Sequence, residues 1–241
     1  MRDAYGLGRR PSPIDIRDYK LAAYMPADLG DLSGGKLWPF DADPLDQKDQ
    51  PECVGFAIAN FGINAPVQDN YTNEDGRAFY KLCKTLDGDN VPGSTVRTVA
   101  RVLKNVLGRI AKYAFASSVD EITYWLLHNG PVIVGTEWTQ GMLAPDEYNI
   151  IHPTGITLGG HCYLLNEKTV SGHYRIQNSW DARWGQDGQA YISISDFADL
   201  FMDSGEAMTA VELPYPVTAK SSGCVDAFLK LFHFEQPAIA G

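Results

Sequence analysis

The sequence contains no apolar run of roughly 18 residues, the length a membrane-spanning helix requires. Its opening, "MRDAYGLGRRPSP", lacks the apolar core of a secretory signal, so the chain is expected to begin outside an export route. Positive charge is scarce as well, with 20 Lys and Arg against 30 Asp and Glu and a formal net charge of −10. No basic stripe interrupts that acidity, so neither nucleic acid nor a membrane is an expected partner. The four cysteines, Cys53, Cys83, Cys162 and Cys224, form no C-x-x-C pair. Cys162 follows His161 but has none of the companions that zinc spacing needs, so no metal and no other cofactor is expected. Without an export signal, a disulfide framework is not expected either.

What is present is enough apolar residue, 44% of 241, to bury one large domain or two intimate lobes. Residues 1–24 mix proline, charge and isolated apolar positions without a period and read as an N-terminal arm. Asp49 and Glu52 resemble a capping pair ahead of a helix that carries Phe56, Ala59, Asn60 and Ile63. A second helix is expected over Asp75 to Leu86, where Phe79, Leu82, Cys83 and Leu86 share a face and Cys83 is a core residue. A third should run from Ser94 to about Leu107 and close at Gly108. In "SVDEITYWLLHNG", Ser118 and Glu121 predict a fourth with a capping box. The pattern then changes to short runs rich in β-branched and aromatic residues, "PVIVGTEW", "HCYLLNE", "HYRIQNSW" and "QAYISI". Helices first and strands later predict an α+β fold with antiparallel strands. After a linker-like "PYPVTAKSSG", Val225, Phe228, Leu229 and Phe232 predict a short apolar helix, which either docks on its own domain or anchors another protein.

Cys53 opens a predicted helix, where unpaired N–H groups and the positive end of the helix dipole stabilise a thiolate. A nucleophile there needs an imidazole, a group that orients it, and donors for an oxyanion. His161 is the candidate imidazole. "GGHCYLLNE" puts it at the start of a strand, behind two glycines that admit another chain segment or a substrate. His128 ends a helix, where a cation is favoured, His173 lies in a turn, and His152 and His233 have no evident partner.

"RIQNSWDARWGQDGQAYIS" resembles the NSWGxWGxGY segment of papain-like cysteine peptidases, and "DQKDQPECVGFA" resembles their DQGxCGSCWAF segment; the order Cys, His, Asn matches. "MPADLGDL" and "GSTVRTVARVLKN" are similar to further family stretches, in the style of bacterial and viral members, and the likeness spans Met25 to Leu213. The resemblance implies a two-lobed fold, with a helical lobe mainly over 45–129 facing an antiparallel, barrel-like lobe mainly over 130–213. Residues 214–241 would form a tail. It implies Cys53 as nucleophile, His161 as its partner, Asn178 as the orienting amide, Gln47 as the oxyanion donor, and Trp180 shielding the His161–Asn178 bond. The resting pair would be thiolate and imidazolium.

The implied reaction is cysteine-dependent hydrolysis of a peptide bond, as a thiol endopeptidase or peptide amidase acting on a protein or peptide. Acyl transfer on the same residues stays open. The alternative is a papain-fold structural or interaction protein, such as an assembly component, with weak or no turnover. Three departures bear on that choice. Val54 stands where the family has tryptophan, Glu52 replaces a small residue beside the nucleophile, and Gln50 replaces a cysteine that ordinarily forms a disulfide. The last suits a reducing setting, cytoplasmic or particle-associated. The arm ahead of Met25 is shorter than a family pro-region, and it is expected to pack behind a lobe rather than cross the cleft.

Overall fold

The fold is that of a computed structural model, which describes residues 5–213. The apolar helix expected after residue 213, with Cys224 and His233, lies outside the described residues.

Seven strands form one antiparallel sheet: β2 (Lys36–Leu37), β4 (Lys112–Phe115), β5 (Val132–Thr139), β6 (Thr157–Lys168), β7 (His173–Gln177), β8 (Gln189–Ser193) and β9 (Glu206–Glu212). The order is β4-β9-β5-β6-β7-β8, with β2 added on β6. The sheet therefore does not close on itself, as β4 and β8 remain its ends. A separate parallel pair joins β1 (Arg9–Arg10) to β3 (Ser94–Thr95).

Both faces of the central strands are covered, and their alternation records this. On β6, Cys162 and Leu164 enter the core shared with α1 (Cys53–Ile63), α2 (Asn73–Asp87) and α3 (Val96–Arg101). Tyr163 and Leu165 face the opposite way, into the core under α4 (Val119–His128) and α5 (Ile194–Ser204). A strand buried on both sides reads as a nearly continuous apolar run, as "HCYLLNE" does.

Every residue of α1 is buried, so this helix is the central strut of the helical half rather than an amphipathic surface element. Its glycine at 55 lets α2 approach: a Cβ there would overlap the Gly76 carbonyl and the Tyr80 backbone. Gly55→Ala is expected to destabilise the protein by about 1–3 kcal/mol through this overpacking, read as a lower urea midpoint.

Local expectations were met unevenly. The pair Asp49 and Glu52 forms no capping box; α1 begins only at Cys53, Glu52 occupies the cap position without a side-chain cap bond, and Gln47–Gln50 are taken up in a turn. The full capping box lies at Thr72 and Asp75 instead. Ser118 does cap α4 through the Glu121 N–H, but the Glu121 carboxylate turns to Ser117. The helix expected from Ser94 to Leu107 is shorter and mixed. Ser94–Thr95 pairs as a strand, α3 follows, and Val102–Val106 widens into a π-turn before Gly108 turns left-handed. Leu86 is exposed rather than part of the α2 core face.

Candidate active site

The N-terminus of α1 and one end of β6 meet beneath the N-terminal arm. Cys53 is the first residue of α1 and His161 lies on β6, opposite Thr136 of β5; both are completely buried. Asn178 follows the last residue of β7, and its Oδ1 accepts the His161 Nε2–H at 2.8 Å. The same oxygen accepts the Ser179 N–H at 2.8 Å, which orients the amide. His161 therefore carries its proton on Nε2, and the Nδ1 lone pair is left buried without a hydrogen-bond partner. Trp180 stacks on the imidazole at 4.6 Å between centroids, and Trp138 meets it edge-on at 4.8 Å. Both indoles pack directly on the imidazole ring, which is fully buried.

Gln47 sits in the turn before α1, clamped to the loop that carries Asn178. Its N–H donates to Ser179 O at 2.9 Å, and its Oε1 accepts from Ser179 Oγ at 2.6 Å. Its Nε2 is thereby aimed outward and donates to the peptide carbonyl of Gly6 at 3.0 Å and to Gln50 O at 2.7 Å. Ser179 was not singled out by sequence reasoning, although it lies inside the "NSW" segment. A chain of buried amides backs the site. Asn60 Nδ2 donates to Asn178 O at 3.3 Å, and Gln177 Nε2 donates to Asn60 Oδ1 at 3.2 Å.

Gly6 belongs to the arm, and this corrects the expectation that the arm packs behind a lobe. Residues 5–10 run through the cleft. Tyr5 stacks on Trp180 at 4.2 Å, Gly6 N–H donates to Lys48 O at 3.1 Å, and Gly8 N–H donates to Gly160 O at 3.0 Å. Gly8 O in turn accepts the Ser94 N–H at 2.9 Å. Glycine on both sides permits the fit: a Cβ at Gly6 would strike Gln50 O, one at Gly8 would strike Pro51 O, and one at Gly160 would strike Arg9 O. The paired glycines ahead of His161 thus admit a segment of this same chain. The available sequence signal was "YGLG", an alternating glycine pair in an otherwise charged arm.

Covering the site changes its electrostatics. Burial pushes the Cys53 thiol up to about 12, opposed by the N–H groups of Cys162, Gly8, Val54 and Cys53 itself. Burial likewise pushes His161 down to about 4, partly offset by its bond to Asn178. In this state the pair is neutral thiol and neutral imidazole, not the ion pair expected from the sequence, because desolvation disfavours both charges. The arm contributes to both effects at the site: its Gly8 N–H is among the groups that favour the thiolate, and its Gly6 carbonyl occupies the Gln47 donor. Half-buried Glu52 is also pushed toward its neutral form by burial, with Arg77 and Lys81 opposing. Val54 packs wholly within the α1 core, and Cys83 is buried with its thiol raised by desolvation. His152, which had no evident partner, contacts Asp146 at 2.9 Å. No group of metal-ligating side chains occurs among the described residues.

Xylellain, a cysteine protease from Xylella fastidiosa, superposes with a TM-score of 0.68 over 86% of this chain and 96% of its own, at 18% identity. The chain has the papain-like cysteine peptidase fold. A second papain-like structure, proCathepsin B S9 from Trypanosoma congolense, matches with a TM-score of 0.53 over 71% of this chain and 72% of that one, at 12% identity. In sequence, 91 residues are 32% identical to Cathepsin B of Dictyostelium discoideum, covering 36% of this chain and 29% of that protein. Cathepsin B-like cysteine proteinase 5 of Caenorhabditis elegans is 24% identical over 169 residues, covering 68% of this chain and 38% of the relative. The chain thus spans well under half the length of the curated relatives it matches. No family model matches it. The papain-like fold agrees with the α+β expectation, and the expected barrel-like lobe is an open antiparallel sheet.

Proposed function

We propose that this protein is a cysteine-dependent peptide hydrolase in which Cys53, His161, Asn178 and Gln47 act together. The observation that carries the reading is that Gln47 Nε2 already donates to a peptide carbonyl oxygen, at 3.0 Å, in the turn that leads into Cys53. A site that lays a peptide backbone over the turn and helix start carrying Gln47 and Cys53, with an imidazole oriented by Asn178 on the strand packed against that helix, has the parts that acyl chemistry requires. The cysteine-protease names of the matched relatives support the same class.

In the proposed cycle the arm leaves, water reaches the dyad, and His161 Nδ1 takes the Cys53 proton. The thiolate attacks the carbonyl carbon of the substrate, and the oxyanion is held by Gln47 Nε2 and the Cys53 N–H. The C–N bond breaks as His161 returns the proton to the leaving amine, leaving a thioester. Water, deprotonated by His161, attacks that thioester; the C–S bond breaks, releasing the acid and restoring the thiolate. Asn178 keeps the ring in the required tautomer, and Trp180 shields their bond. Glu52 flanks the nucleophile without entering a step.

Gln47→Ala is expected to lower kcat by about 10²–10³-fold, the usual cost of one oxyanion donor, with a smaller change in KM. The assay is hydrolysis of a fluorogenic peptide by a variant whose arm has been displaced. If that variant cleaves no peptide and its Cys53 is alkylated no faster than Cys83, the reading is wrong.

A further inference from the structure

We propose that Asn60 and Gln177 are positioning residues: through the peptide carbonyl of Asn178 they fix the spacing between Cys53 on α1 and the His161–Asn178 pair on the sheet. This rests on the peptidase reading above and adds two residues that act through Asn178 rather than on the substrate.

Four amide side chains, Asn60, Asn64, Asn166 and Gln177, lie between α1 and the β6–β7 pair, each no more than 2% exposed. Asn64 follows the last residue of α1, one turn beyond Asn60. Asn166 continues the row of Cys162 and Leu164 that β6 turns toward the helix, and Gln177 ends β7 next to Asn178. Asn64 Nδ2 donates to Gln177 Oε1 at 2.6 Å. Asn166 Nδ2 donates to the same oxygen at 3.1 Å and to Asn64 Oδ1 at 3.0 Å. With Arg175 Nε on Asn166 Oδ1 at 3.0 Å, every side-chain oxygen and nitrogen of the four amides is paired.

Buried polar groups cost free energy unless paired, and the rest of this interface, around Phe56, Cys162 and Leu164, is apolar. Apolar contact is non-directional, so it holds a helix against a sheet without fixing how far it slides or rotates. Hydrogen bonds have preferred lengths and angles, and a fully satisfied buried network selects one arrangement. The amides therefore supply the register that the apolar contacts leave open.

The network also has a direction, and it ends at the site. Donors run from the charged Arg175 guanidinium to Asn166, from Asn166 to Gln177, from Gln177 Nε2 to Asn60 Oδ1 at 3.2 Å, and from Asn60 Nδ2 to Asn178 O at 3.3 Å. Hydrogen bonds aligned head to tail polarise one another. Asn60 and Cys53 share α1, about two turns apart, while Asn178 Oδ1 accepts the His161 Nε2–H. Helix, Asn60, Asn178 and imidazole thus form one path from the thiol to its partner. Without Asn60 the Asn178 carbonyl loses its donor from α1, and the residue keeps its bonds to Gly188 and Ser179, neither of which belongs to the helix that carries Cys53. Shifts of an ångström then matter, because attack and proton transfer both fall steeply with misplacement.

The first test measures fluorogenic peptide hydrolysis by the full-length Gly6→Ala/Gly8→Ala chain. Adding Asn60→Ala is expected to lower kcat by about ten- to a hundredfold with KM within about twofold. Thr123→Val is the comparison: it removes a buried hydroxyl contact with Tyr174, in the core on the opposite face of the sheet, and should leave kcat within about twofold. The second test needs no turnover. In the parent chain the His161 Nε2–H should give a slowly exchanging proton resonance that is absent in His161→Ala. Asn60→Ala and Gln177→Ala should each speed its exchange with solvent by about tenfold or more, and Thr123→Val should not. Should Asn60→Ala fail to fold, Asn60→Ser, whose side chain is shorter but still polar, is read by the same two criteria. Unchanged ring-proton exchange, a change in KM alone, or a loss of kcat shared by Thr123→Val overturns the proposal and leaves the peptidase reading standing. If the Gly6→Ala/Gly8→Ala chain cleaves no peptide and iodoacetamide does not reach its Cys53, the peptidase reading itself fails. The ring proton then decides alone whether Asn60 and Gln177 hold Asn178 against His161.

Discussion

Gly6→Ala/Gly8→Ala is expected to raise the iodoacetamide labelling rate of Cys53 at pH 7 on the order of a thousandfold. The new methyl groups would overlap Gln50 O and Pro51 O, backbone atoms that cannot give way, so the arm must lift from the cleft. In the covered state the thiol stands at about 12, which leaves roughly one molecule in 10⁵ as thiolate at pH 7, against a few per cent for an ordinary thiol. Solvation of Cys53 and His161 removes the cause of that shift. The pH profile separates the two states: labelling of the parent chain should climb through pH 10 without a plateau, and that of the variant should level off well below it. Labelling that is unchanged in the variant would mean that the arm does not control access to the thiol.

The same burial makes the covered state sensitive to acid. His161 stands at about 4 with the arm in place, against an ordinary value of 6.5. Between these values the uncovered or unfolded chain binds more protons than the covered one, so stability of the covered state falls as pH falls. Over that window the loss from this group is about 3 kcal/mol. Lowering the pH from 6.5 toward 4 should therefore speed labelling of Cys53 in the parent chain relative to a free thiol control.

Cys53→Ala in the arm-displaced chain is expected to reduce peptide hydrolysis by on the order of 10⁴-fold or more, while Cys83→Ala leaves it within a few fold. The contrast is informative because both thiols are completely buried and raised by desolvation. Only Cys53 stands at a helix N-terminus with a peptide backbone laid over it, whereas Cys83 packs in the middle of the α2 core. Steady-state turnover measured with matched far-UV spectra decides the matter. Retained hydrolysis in Cys53→Ala would remove this cysteine from the mechanism.

Much of the site was legible because its parts lie in short local patterns. "DQKDQPECVGFA" brings Gln47 and Cys53 together through one turn and a helix start. "NSW" brings Asn178, Ser179 and Trp180 together through one loop. The helix boundaries were less legible. Whether a polar residue caps a helix or turns elsewhere depends on neighbours contributed by tertiary packing: Glu52 and Glu121 are both drawn away from the pairings their spacing suggests.

The amino-acid sequence by itself determined the α+β class through its periods, and its resemblance to papain-like cysteine peptidases implied the fold and the candidate nucleophile, imidazole, amide and oxyanion donor. Only the tertiary structure decided what covers the site and where the arm is held. Arg9 and Glu206 meet across 197 residues of chain, a pairing that no local pattern encodes. The neutrality of Cys53 and His161 is likewise a property of what covers them. A side chain's charge depends on the water around it, and that water is removed by a distant segment folding back.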